Sequence, residues 1–230
     1  MHTVKNNRRR SVRLTAAALT AASALVLSAC SSGDSDSDAA VVDAPKASDA
    51  PQQKSGVKLD NPFVKPDLTL TDTKGEKYDL VKETKGKPTL LYFGYSNCPD
   101  ACPLIMSNID LAKRKLPKSE QKKLQVVFVT TDPKRDTPEH LGKWLKAQGT
   151  GVTGLTGDFD TIQAAAKSVG IGIEPSYKKK NGDVVSSHGK QLLAFSPKDD
   201  KAHYLYTDDK NATAEVLSKD LPKLIKGETP

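Results

Sequence analysis

An α/β fold, with a largely buried sheet between layers of helix, is what this sequence predicts. Apolar runs of strand length alternate with stretches of helical periodicity between residues 87 and 170. The runs "LLYFGY" and "LQVVFVTTD" are almost unbroken, as in strands covered on both faces. A turn signal, two further apolar runs and a last amphipathic stretch close the chain. Strand, helix, strand, helix, then a strand pair and a final helix is the order of a thioredoxin-like fold with insertions.

Each element follows from its residues. Residues 67–80, "DLTLTDTKGEKYDL", read as an N-terminal β-hairpin ahead of the core. Residues 87–95 form the first buried strand, after Gly86-Lys87-Pro88. Leu104, Ile105, Ile109, Ala112 and Leu116 fall close to helical spacing, and Pro117 ends that helix. Pro99 and Pro103 do not both suit the first turn of one regular helix, so the helix is expected to begin near Pro103. Residues 124–132 give the next strand. Thr137 as N-cap and Pro138 at the first helical position open a helix that runs to Gly149. Residues 153–157 are a short strand, and residues 158–170 a helix stopped by Gly170. Asn181-Gly182 centres an inserted hairpin within residues 175–189. Residues 191–197 and 202–209 are two more strands, and residues 213–227 a closing helix with a bend expected near Pro222.

The beginning of the chain reads differently. Lys5, Arg8, Arg9, Arg10 and Arg13 precede an alanine-rich apolar run over residues 14–29, too short to span a membrane and suited to a secretory signal. Its end, "LSAC", resembles the lipobox of bacterial lipoproteins, in which cleavage leaves an N-terminal cysteine that carries lipid, here Cys30. Residues 30–56 are Ser, Asp, Ala and Pro with little to bury, and are expected to form a disordered acidic tether. Residues 57–230 are then the folded domain, long enough for one well-buried core. The signal carries five positive charges of a chain whose net charge is +7, leaving about +2. With few aromatics and no basic stripe outside the signal, nucleic acid is excluded as a partner.

Three cysteines less a lipidated Cys30 leave Cys98 and Cys102. A bridge four positions apart closes almost no loop and would add little stability, so the pair is there for chemistry. In a roughly helical turn their Cα atoms lie about 6 Å apart, within disulfide reach. At a helix N-terminus both thiols lean toward thiolate, the form that attacks disulfides and binds soft metals. Spacing leaves redox pair and metal clamp equally open. Two thiolates underfill a metal, which directs attention to the histidines. His140 begins a surface helix and reads as solvated, and His203 reads as packing on a late strand. His188 follows the inserted hairpin, on a loop that in a thioredoxin-like sheet faces the cysteine turn.

With these residues assembled, the sequence resembles the Sco/SenC family of copper-binding assembly proteins for cytochrome c oxidase. "FGYSNCPDACP" looks like the family's copper motif, "VVFVTTDPKRDTPEHL" its Asp-Pro-X-Arg-Asp-Thr-Pro segment, and "SHGKQLLAFSPKD" the strand preceded by the ligand histidine. The resemblance implies Cys98 and Cys102 as thiolate ligands and His188 as imidazole ligand of one copper ion, Cu(I) or Cu(II). It marks Asp132 and Asp136 as supporting positions, with Asp132 orienting a ligand from a strand end; for Asp136 the local sequence instead favours capping of the following helix. Where family members have Asp before the histidine and Ser or Thr after it, this chain has Ser187 and Gly189.

The function implied is a copper metallochaperone lipid-anchored at the outer face of the bacterial cytoplasmic membrane. It would serve the CuA centre of cytochrome c oxidase subunit II, with another copper chaperone as a candidate donor. The alternative is a thiol–disulfide oxidoreductase acting on the oxidase's copper-site cysteines. An adaptor with an inert cysteine staple, or a peroxidase in the same shell, fits the closely spaced pair less well.

Overall fold

The computed structural model describes residues 55–149, 151–208 and 211–230. The signal segment, Cys30 and nearly all of the acidic tether lie outside the described residues. The chain divides into two units, Met1–Ala47 and Ser48–Pro230, and the described residues all belong to the second.

The centre of the domain is strand β4 (Thr89–Gly94), in which every residue is buried. It pairs in parallel with β5 (Gln125–Thr130), which pairs in parallel with β6 (Val152–Thr156). On its other side β4 runs antiparallel to β9 (Leu192–Phe195), and β9 antiparallel to β10 (Lys201–Tyr206). The hairpin of β2 (Thr69–Asp72) and β3 (Lys77–Asp79) joins through β6, and β1 (Val57–Val64) closes the opposite edge on β10. The eight strands therefore run β1-β10-β9-β4-β5-β6-β2-β3.

Alternation along β4 builds a core on each face. Leu90 and Tyr92 pack with Ile105 and Ile109 of α2 (Ala101–Lys115), Leu141 and Leu145 of α4 (Pro138–Gln148), and Leu217 and Leu221 of α6 (Ala214–Ile225). Leu91 and Phe93 face Ile162 and Ala166 of α5 (Phe159–Ser168) and Leu80 of the single-turn α1 (Leu80–Thr84). Pro222 lies inside α6, which continues to Ile225.

Four features differ from the sequence expectation. Helix α2 starts at Ala101, two residues before Pro103, with the Asp100 carboxylate accepting the Ala101 N–H. Pro103 is then the third helical residue, where the missing N–H has no intrahelical acceptor to lose. Strand β1 was not anticipated. Half exposed, and with Pro62 where its register on β10 shifts, it lacks the alternation of a buried strand. The short helix α3 (Lys118–Lys123) buries no residue and leaves no apolar signal, and α1 is too short to show a period.

The inserted hairpin is present as β7 (Tyr177–Lys178) and β8 (Val184–Val185), a separate two-stranded sheet. Gly182 sits at φ +94°, the left-handed conformation its turn requires. From β8 the chain leads to His188 and then β9, at the end of the sheet where β4 and β5 terminate.

Candidate metal centre

The two cysteines are set by the end of β4 and the start of α2. Gly94 makes the join possible: a Cβ there would lie 2.7 Å from Tyr92 Cε1 and 2.8 Å from Cys102 Sγ. Cys102, on the first turn of α2, is completely buried, and Cys98 is 6% exposed. Both thiols are free. The Cys102 N–H donates to Cys98 Sγ at 3.4 Å, as an unpaired helix N-terminal donor can.

His188 completes the group. Its Nε2 lies 3.8 Å from Cys98 Sγ, and the ligand atoms of Cys98, Cys102 and His188 are all within 4.8 Å of one another. Nδ1 is 2.9 Å from the Gly189 carbonyl and donates to it, which aims Nε2 at the sulfurs. The Tyr95 ring stands 5.5 Å from the imidazole, tilted by 47°. The sequence expectation that these three residues converge is met in the geometry.

Two anchors hold the histidine in place. Gly189 lies so close to Ile171 that a Cβ would meet its Cγ2 at 2.8 Å. On the other side Ser186, itself buried, donates to Asp132 Oδ2 at 2.8 Å and accepts from Arg135 Nη2 at 3.1 Å. Arg135 Nε also bonds Asp132 Oδ2. Asp132 bonds none of the three ligands; through Ser186 it ties down the loop that carries His188. Its other oxygen, Oδ1, is buried with no hydrogen-bond partner among the described residues.

Asp136 is the correction. It does not cap α4, because Thr137 does, accepting the His140 N–H at 3.3 Å. Asp136 is completely buried and reaches back 40 residues to the cysteine loop. It accepts the Ser96 N–H at 2.9 Å, the Ser96 hydroxyl, and the Thr130 hydroxyl at 2.6 Å. Ser96, two residues before Cys98, is thereby pinned to the end of β5. His140 is exposed, as read, yet its Nε2 lies 3.0 Å from Ser96 Oγ. His203 pairs with Asp199 at 2.8 Å and takes no part in the group. Sequence reasoning missed Ser96, Thr130, Gly94 and Tyr92. Only the Gly94-Tyr95 break after an apolar strand carried any signal, that of a close backbone approach.

The sulfurs are electrostatically unlike. The Cys98 thiol is lowered to about 4, by hydrogen bonding from Cys102 and then, against burial, from His188 and the backbone N–H groups of Cys102 and Asp100. The Cys102 thiol is pushed up, by its hydrogen bond to Cys98 and by burial. His188 is raised by its hydrogen bond to Cys98. The metal-free site therefore pairs a Cys98 thiolate with an imidazole whose basicity it raises, beside a neutral Cys102, and a metal must displace the proton of Cys102. Above its pKa a thiol is ionised. The far-ultraviolet thiolate absorbance of the metal-free, reduced domain should persist as pH falls and disappear in one step near pH 4. That step should be absent in Cys98→Ser. A step in the ordinary thiol range, about pH 8.5, would contradict the assignment.

Comparison with known proteins follows the same lines. The family model SCO1/SenC matches residues 57–226. The mitochondrial protein SCO2 of Saccharomyces cerevisiae is 32% identical over 153 residues, covering 66% of this chain and 49% of that protein. The chain spans about half the length of the curated relatives it matches. Among solved structures, apo Sco1 from Thermus thermophilus superposes with a TM-score of 0.64 at 29% identity, covering 75% of this chain and 98% of that one. Yeast Sco1 with copper bound gives a TM-score of 0.60 at 27% identity, covering 76% and 92%. The fold is the thioredoxin-like α/β fold of these proteins. With the match extending from β1 into the residue after α6, the chain belongs to the SCO1/SenC family.

Proposed function

We propose that the protein is a copper metallochaperone, held by lipid on Cys30 at the outer face of the bacterial cytoplasmic membrane. Its cargo is one copper ion, bound by Cys98, Cys102 and His188 and passed to the CuA centre of cytochrome c oxidase subunit II. The observation that carries the reading is the convergence of two sulfurs and one free ring nitrogen within 4.8 Å. Two thiolates and an imidazole suit Cu(I) in a trigonal site and also accept Cu(II). A structural zinc site would call for a fourth protein ligand, and among the described residues no other His, Cys, Asp or Glu joins the group. A site of three ligands leaves room for a receiver's ligand to enter before the ion leaves. The copper-bound yeast relative supports the choice of cargo. The receiver and the anchor rest on the motif and lipobox resemblances.

Anaerobic Cu(I) titration and Cu(II) absorption on the soluble domain test the cargo. One ion per domain is expected, with binding abolished in Cys98→Ser and Cys102→Ser. In His188→Ala it should weaken by more than about a hundredfold, since losing a ligand outweighs losing a group that merely orients one. Parent-like binding of both copper states by His188→Ala would overturn the three-ligand site. For the receiver, a deletion strain should lose oxidase activity and regain it with added copper.

The unlike sulfurs favour a second reading, a reductase for the receiver's cysteines. Cys98 thiolate would attack a disulfide and release one thiol. Cys102 would then attack Cys98, releasing the second thiol and leaving the chain oxidised. That turnover would survive His188→Ala, whereas copper binding would not.

A further inference from the structure

Tyr92 raises a question the copper ligands do not answer. Its ring lies in the core, 5.9 Å from Phe128, which in turn lies 5.2 Å from Trp144. Phenylalanine would fill that place equally well. The hydroxyl is therefore an addition, and a buried hydroxyl without a partner is costly. Its partner is neither a backbone carbonyl nor a carboxylate but Cys102 Sγ, at 3.7 Å. Tyr92 is 1% exposed and Cys102 0%, so the contact is closed to solvent. Gly94 keeps it open, because a Cβ there would strike both Tyr92 Cε1 and Cys102 Sγ.

A neutral thiol is a weak acceptor, whereas a sulfur carrying metal-thiolate charge is a strong one. The hydroxyl thus gains most when an ion is bound. We propose that Tyr92 is a positioning residue of the metal centre: its hydroxyl donates to Cys102 Sγ and limits how much electron density that sulfur gives to the copper ion. The inference rests on the copper reading above. A hydrogen-bonded sulfur donates less to its metal, and reduced copper leaves the site with one more unit of negative charge than oxidised copper. A donor at Cys102 therefore favours Cu(I) over Cu(II), by the hydrogen-bond tuning known for copper–thiolate centres.

Tyr92→Phe in the soluble domain removes the donor and keeps the ring. The sulfur-to-Cu(II) charge-transfer band should move to lower energy and the Cu(II)/Cu(I) potential should fall. Cu(I) affinity should drop about tenfold, as expected for one charge-assisted hydrogen bond to a soft acceptor. A variant with the parent's band and potential would overturn the role of Tyr92 while leaving the copper site intact. So would a variant whose thermal midpoint alone falls, since that is the mark of packing. A parent without any sulfur-to-copper band would overturn the copper reading and this inference together.

Discussion

Gly94→Ala is expected to abolish stoichiometric copper binding in an otherwise folded domain. The added methyl has nowhere to go: its carbon would lie 2.7 Å from Tyr92 Cε1, 2.8 Å from Cys102 Sγ and 3.1 Å from Phe128 Cε2. None of these is the free end of a flexible chain. Tyr92 and Phe128 are held in a fully buried layer, and Cys102 is fixed by the first turn of α2. Relief must come from shifting the strand end away from the helix, and such overpacking costs about 1–3 kcal/mol. The same shift moves Cys102 from its place beside Cys98 and His188. Denaturant unfolding of the metal-free domain should show the loss of stability, and Cu(I) titration the loss of the site. A variant that binds one Cu(I) with the parent's affinity would show that the sulfur has room to retreat, and the close approach would then not define the site.

This dependence explains which parts of the site could be read from the chain. Cys98 and Cys102 were legible because a pair spaced by three residues has few structural uses, and His188 because a loop before a buried strand returns to the end of the sheet. The parallel strands were legible for a similar reason: β4 and β5 are covered on both faces, so their whole length is apolar. Strand β1 gains its place from pairing with β10 across some 140 residues, and no local pattern records that. Asp136 was misread through the same limitation. Its neighbour in sequence is a helix start, so a cap is the local expectation, while its partners are Ser96 and Thr130 on other elements. Tyr92 looks like one more aromatic strand residue until the sulfur behind it is seen.

Asp136→Ala tests that correction and should be the most destabilising of the conservative-sized changes at the site. The carboxylate is completely buried and accepts three hydrogen bonds, two from Ser96 and one from Thr130. Both hydroxyls can turn toward other acceptors, but the Ser96 N–H is fixed by the backbone and would be left unpaired. Leaving a buried donor without its acceptor costs about 1–3 kcal/mol, more than a lost surface pair. Thr137→Ala is the fitting comparison, because it removes the true cap of α4 one residue away. A cap is worth about 1 kcal/mol, and its loss should leave copper binding untouched. Asp136→Ala should in addition weaken Cu(I) binding, since Ser96 is the last residue tied to β5 before the chain turns into Cys98. Equal unfolding free energies and equal copper affinities for the two variants would mean that Asp136 serves only the helix. A loss of both confined to Asp136→Ala would mean that the end of β5 holds the thiolate loop in register with the histidine.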